Sequence, residues 1–173
     1  MIRSRWSAFA LSVPLVTIAL SASSHAADSC QPVFDAIAKL VTTPSHSYST
    51  GVLSGKPSST ETIYVQGKTY MLVKGKWTLS PVTPNDVLLQ EMENEKQGKS
   101  TCEFVRNESV NGEAVAVYSM RRETEILKED GQVWISKANG RALRKEVDVD
   151  YGGAVGKGHL SARYEYSNVR PPM

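Results

Sequence analysis

The hydrophobic positions along the chain change period three times. Between Cys30 and Pro44, the residues Val33, Phe34, Ile37, Leu40 and Val41 recur at helical spacing, with Asp35 and Lys39 on the opposite side. Pro32 suits the first turn of such a helix and Pro44 ends it. From Ser47 to Ser80 the pattern shifts to short runs rich in Tyr, Thr, Ile and Val. These are broken at Gln66-Gly67 and Lys74-Gly75-Lys76, which predicts antiparallel strands joined by tight hairpins. Helical spacing returns between Thr83 and Gly98, where Thr83 can cap, Pro84 fits the first turn and Gly98 stops the helix. Its apolar side is short: Leu88, Leu89 and Met92. From Thr101 onward the chain reads as strand again, punctuated by Asn111-Gly112, Asp130-Gly131 and Asn139-Gly140, which are strong hairpin signals.

The last two runs alternate cleanly. Leu143, Val147, Val149 and Tyr151 share one side, as do Leu160, Ala162, Tyr164 and Tyr166, while Arg144, Glu146, Asp148, Asp150, Arg163 and Glu165 take the other. Such strands have one covered and one solvated face. About nine strands and two short helices predict an α+β fold, a curved antiparallel sheet forming an open half β-barrel covered by the helices.

The hairpin at Asn139-Gly140 admits two registers, and one residue of slip exchanges the faces of every side chain. A two-residue turn would bring Trp134 to the side of Leu143 and Val147, leaving Val133 and Ile135 beside Arg144 and Glu146. A three-residue loop, Ala138-Asn139-Gly140 with a bulge, sets Ile135 against Leu143 and Trp134 against Arg144. Burying two aliphatic side chains is worth roughly 1.5 to 3 kcal/mol each, which favours the bulged register. Val133 and Ile135 are therefore expected inward, and Trp134 outward as an exposed aromatic beside Arg144, suited to a protein contact.

The chain ends refine this picture. Arg3 and Arg5 precede an apolar stretch from Trp6 to Leu20 and a small-residue tail ending Ser24-His25-Ala26, the order of a secretory signal peptide cleaved after Ala26. The apolar run falls short of the roughly 20 residues that a spanning helix needs. The expected organisation is a signal peptide at 1–26 and one domain at 27–173, in the periplasm or secreted. Removing two of the 20 basic residues leaves 18, equal to the acidic ones. A balanced surface argues against binding nucleic acid, which rests on neutralising phosphates. Cys30 and Cys102 are the two cysteines of a chain bound for an oxidising compartment and predict one disulfide.

Catalytic patterns are absent. His46 and His159 have no metal-ligand spacing, and no Gly-x-Ser-x-Gly elbow occurs. The loop YGGAVGKGH has Tyr151 where a phosphate-binding loop starts with Gly, and Gly158 where one ends in Ser or Thr, so it reads as a hairpin connection. The carboxylate pairs Asp148/Asp150 and Glu123/Glu125 lie on solvated strand faces, where charge serves solubility. No catalytic residue, metal or cofactor is expected. The positive hypothesis is apolar: a curved sheet closed by modestly amphipathic helices can leave a cavity for an acyl chain, or the helices can fill that space as core.

The succession of export segment, amphipathic helix, hairpins and second helix, followed by VNGEAVAVY, DGQVWISKANGRALRKEVDVDYGG and ARYEYSNV, resembles the periplasmic lipoprotein-carrier superfamily. That group includes LolA-type outer-membrane lipoprotein carriers and RseB-type periplasmic domains. The most specific part is the Trp134-Ile135 strand, the turn at Gly140 and the Arg144-x-Glu146 strand leading to Gly152. The resemblance implies an open barrel with a helical lid and a non-enzymatic role in binding lipid or lipidated protein. It also implies an interior arginine that latches the lid, for which Arg106, Arg121 and Arg122 are the candidates. Two functions follow. One is a carrier for acyl chains lined by Val33, Ile37, Leu40, Met71, Leu88, Met92, Val133, Ile135, Leu143 and Val147. The other is a regulatory or scaffold protein that binds another envelope protein through a surface such as Trp134 and Arg144.

Overall fold

The computed structural model describes residues 26–172. The expected export segment lies outside the described residues except for Ala26, which opens the first helix. In chain order the elements are α1 (Ala26–Thr42), β1 (Ser45–Leu53), β2 (Lys56–Val65), β3 (Lys68–Val73), β4 (Lys76–Leu79), α2 (Pro84–Gln97), β5 (Lys99–Val110), β6 (Glu113–Glu123), β7 (Lys128–Ser136), β8 (Ala142–Asp150) and β9 (Lys157–Glu165). All nine strands join one sheet in the order β4-β3-β2-β1-β9-β8-β7-β6-β5. Every ladder is antiparallel, and the edge strands β4 and β5 do not meet. The fold is thus the expected α+β half-barrel, a curved open sheet. Its two meanders are joined where β1 lies along β9, from His46↔Glu165 to Leu53↔Gly158.

Residues paired across a ladder share a face of the sheet, so the register sorts the side chains. On the helical face, Cys30, Val33 and Ala36 of α1 pack on Cys102, Met120, Val133, Ile135 and Ala142, with Phe34, Ile37, Leu40, Tyr118 and Tyr164 at the margin. Helix α1 lies on β5 to β8. The Cys30–Cys102 disulfide, with Cα atoms 4.9 Å apart, fastens it to β5 as expected. At its other end, Lys39 Nζ donates to Asn139 O at 2.9 Å and ties the last turn to the β7–β8 hairpin. The outer face carries two smaller clusters: Ile63, Val65 and Tyr70 with Trp77 and Val169, and Val115, Val117 and Trp134 with Val110 and Leu143.

Four sequence expectations need correction. Pro32 lies well inside α1, because the helix starts at Ala26. Asp130-Gly131 is no turn but the middle of β7, where Gly131 pairs with Met120 on one side and Val147 on the other. A Cβ there would stand 2.1 Å from Glu146 O, so this glycine serves close strand approach. The reversal falls at Thr124–Leu127, where Thr124 N donates to Leu127 O at 2.8 Å. The hairpin after β7 does hold Trp134 against Arg144, yet Ile135 pairs with Ala142 and the register shifts between these pairs. Its loop is closed by Ser136 N donating to Arg141 O, one residue longer than expected, and the bulge falls at Leu143. Leu143 therefore turns to the outer face against Trp134, away from Val147.

The fourth correction is Trp134 itself. It faces outward as its register requires, but it is only 3 % exposed, covered by Val115, Val117 and Leu143. Its indole Nε1 donates to Glu108 Oε1 at 2.7 Å. A half-apolar ring with a single donor is buried at low cost once that donor is satisfied, so the exposed aromatic becomes the core of a second layer.

Candidate functional site

The interior below α1 is filled. Val33, Val133 and Ile135 are at most 5 % exposed within one cluster, with Leu40 packed on its margin. Val147, at 4 % exposure, is also buried. Met71 lies on the far half of the helical face, paired with Thr62. Ser47, Ser49 and Thr60 share that face there, giving a hydroxyl-rich surface rather than an aliphatic one. Of the expected lining residues, the structure brings Ile37, Leu88 and Met92 together in the crevice between the helices.

That crevice follows from how α2 is made. Thr83 and Asp86 form a reciprocal cap: Thr83 N donates to Asp86 Oδ2 at 2.8 Å, and Asp86 N donates to Thr83 Oγ1 at 3.2 Å. The helix is thus well started, but its apolar side is too short to seat deeply. Val87, Leu89 and Met92 remain 37, 55 and 45 % exposed. A pocket of about 240 Å³ lies between Phe34 and Ile37 of α1 and Leu88 and Met92 of α2. A second, of about 650 Å³, shares Phe34 and Met92 and reaches Cys30, Ser100 and Thr101. Ser100 Oγ is the buried side-chain polar atom that, among the described residues, has no hydrogen-bond partner. Buried hydroxyls are normally satisfied. This one borders an apolar cleft and can donate to a ligand.

Beneath α2 lies a charged group that sequence reasoning left unresolved. Arg122, 3 % exposed, donates from Nη1 to Glu91 Oε2 at 2.6 Å and from Nε to Glu129 Oε2 at 2.7 Å. Lys145 Nζ donates to the other Glu129 oxygen at 3.2 Å. Burial alone would push the Glu129 carboxyl up, but the Lys145 and Arg122 charges hold it below the ordinary carboxylate range. Burial opposes the Arg122 charge, and the Glu129 and Glu91 carboxylates more than restore it. The Tyr164 phenol, desolvated in the same interior and facing the Glu129 charge, is pushed up to about 12. Of the three candidate arginines, Arg122 is therefore the interior one that holds α2. Arg121 pairs with Asp130 on the surface, and Arg106 joins Glu108 on the outer face. The alternation Met120-x-Arg122 was the available signal, since it sets a charge on the apolar face of β6.

No family model matches the chain, and no curated protein matches it. Solved structures are similar to it at low identity. The crystal structure of LprF from Mycobacterium bovis aligns with a TM-score of 0.45 and 9 % identity, over 84 % of this chain and 97 % of that one. The crystal structure of MucB aligns with a TM-score of 0.48 and 11 % identity, over 87 % and 62 %. A DUF1329 family protein from Desulfovibrio piger aligns with a TM-score of 0.28 and 10 % identity, over 84 % and 94 %. Among the described residues, no helix is long and apolar enough to cross a membrane, and no group of His, Cys, Asp and Glu could hold a metal ion.

Proposed function

We propose that the protein is a non-enzymatic binding protein of an oxidising compartment outside the cytoplasm, exported by cleavage after Ala26, with residues 27–173 as the working domain. Its ligand is an acyl chain, free or on a lipidated protein, taken between α1 and α2. The observation that carries this reading is the cleft itself: an apolar space of about 650 Å³ bordered by Phe34 and Met92, with the partnerless Ser100 hydroxyl in its wall. Its volume falls in the roughly 300 to 1,000 Å³ range of small-molecule pockets, which combine apolar lining with a few placed polar groups. Ser100 would donate to the carboxyl or ester oxygen of the chain. Helix α2 acts as the cover, and the buried disulfide suits an oxidising compartment.

Native mass spectrometry of protein purified from its own compartment, with a fluorescent fatty acid titration, tests the proposal. Co-purifying lipid and saturable uptake are expected, weakened about tenfold or more by Met92→Asp, which places a charge in the cleft wall. Empty protein that also takes up no probe would sink it.

A further inference from the structure

The antiparallel ladders bring one set of chain reversals to a single end of the sheet. The β1–β2 turn at Ser54-Gly55, the β3–β4 turn at Lys74-Gly75, the loops at 124–127 and 151–156 and the start of β5 all lie there. This end carries large apolar side chains that the fold does not cover. Ile126, in the β6–β7 loop, is 74 % exposed, and Val155, Val52 and Tyr151 are 51, 46 and 40 % exposed. Reversals are made by turn residues and have no need of aliphatic ones.

These side chains form a group. Strands β7 and β8 are neighbours, with Lys128 paired to Asp150, so Ile126 and Tyr151 lie in loops that leave adjacent strands. Ser54 Oγ donates to Val155 O, and Ser54 N donates to Lys157 O at 2.8 Å, which holds the end of β1, with Val52, against the 151–156 loop. A Cβ at Gly152 or Gly153 would meet nothing within 4 Å, so this loop stands clear there. Contiguous exposed apolar side chains with a polar rim mark an interaction surface.

The rim is rich in lysine. Lys99, Glu123, Lys128, Asp150 and Lys157 pair in one row across β5 to β9, alternating in sign. Lys128 is bound to Glu123 at 2.7 Å and Lys157 to Asp150 at 3.4 Å. That row has one lysine in excess, and the turns add Lys56, Lys74 and Lys76 against Glu125. Six lysines thus accompany three carboxylates, and Lys56, Lys74 and Lys76 have no ion pair among the described residues. Protruding apolar side chains among lysines match the boundary of an anionic bilayer, whose headgroups attract cations and whose interface favours tyrosine.

We propose that this end of the sheet docks on an anionic lipid surface, with Ile126 and Val155 entering the interface, Tyr151 at headgroup level and the lysines facing the headgroups. The cleft between the helices reaches the same end, since Lys99 and Ser100 stand in its wall. A docked molecule therefore holds the cleft beside the bilayer. Docking rests on the loops alone; its use for delivering an acyl chain rests on the function proposed above.

Flotation of the purified protein with phosphatidylglycerol vesicles, compared with phosphatidylcholine, tests the surface. Capture by the anionic vesicles that falls as salt rises is expected. Ile126→Asp/Val155→Asp should weaken it about tenfold or more, and Lys56→Gln/Lys74→Gln by a smaller factor. Leu79→Asp/Val82→Asp alters similarly exposed apolar residues at the opposite end of the sheet and should leave capture unchanged. Ile126→Trp should add an emission that shifts to the blue on anionic vesicles. Every altered position is exposed, and circular dichroism should show all variants folded. Capture by protein that takes up no fatty acid would sustain docking while removing the acyl reading. Absence of capture, or equal losses from changes at the two ends, would overturn the proposal. So would absence of capture with self-association that Ile126→Asp/Val155→Asp abolishes, which would assign the loops to a second copy of the chain.

Discussion

The two helices share one face of the sheet but are held in opposite ways. Helix α1 is fastened at both ends, by a disulfide to β5 and by Lys39 to the β7–β8 hairpin, and Cys30, Val33 and Ala36 are completely buried. Helix α2 has a good N-terminal cap but leaves three large apolar side chains over a third exposed, and its link to the sheet interior is Glu91 on Arg122. The first helix is thus part of the core, and the second is a cover resting on it. The sheet therefore carries one rigid wall and one movable one, since elements with few buried contacts open at low free energy.

The comparison can be broken most severely at the bolted helix. Cys30→Ser/Cys102→Ser releases a crosslink across 72 residues, which in the chain-entropy model is worth about 4 kcal/mol. Thermal unfolding should shift down strongly, and an unchanged midpoint would show that packing alone holds α1.

Arg122→Gln comes next, at about 3 kcal/mol, because it leaves Glu129 buried with Lys145 alone. The same cluster sets the acid limit of the fold. A carboxyl held below its ordinary value contributes stability above that value, 4.5 for Glu129, which is lost as pH falls through the depressed one. Denaturant melts from pH 6 to pH 3 should therefore fall in the parent, and by less in Glu129→Gln.

The smallest effect on stability is expected at the cover. Glu91→Gln keeps the Arg122–Glu129 pair and should cost under about 1 kcal/mol globally. Amide exchange across residues 84–97 should nevertheless accelerate, with the core strands unchanged. Equal acceleration in β6 and β7 would mean that the two helices do not differ as described.

Much of the architecture was readable in the chain: both helices, the nine strands and the inward placement of Val133 and Ile135 follow from periodicity, and the disulfide from the two cysteines of a chain read as exported. The misreadings share a cause, which is that one-residue details of turns decide facing. Asp130-Gly131 carries a turn signature, but its glycine is needed where β7 runs close against β8. An extra loop residue moved the bulge to Leu143 and turned that side chain outward. Trp134 faced as expected, and its burial depended on Val115 and Val117 of a neighbouring strand, whose register no local pattern specifies. The Glu91–Arg122–Glu129–Lys145 group joins four elements, so only the folded sheet could assemble it.

The seam between β1 and β9 bears on how the chain reaches this structure. Each meander can form from neighbouring hairpins, but pairing His46 with Glu165 closes a loop of more than a hundred residues. Such long-range contacts impose their entropy before they return any energy, and they set the pace of folding. The seam is therefore the expected kinetic bottleneck. Substitutions along it should slow refolding, while those in the β2–β3 or β5–β6 hairpins chiefly speed unfolding.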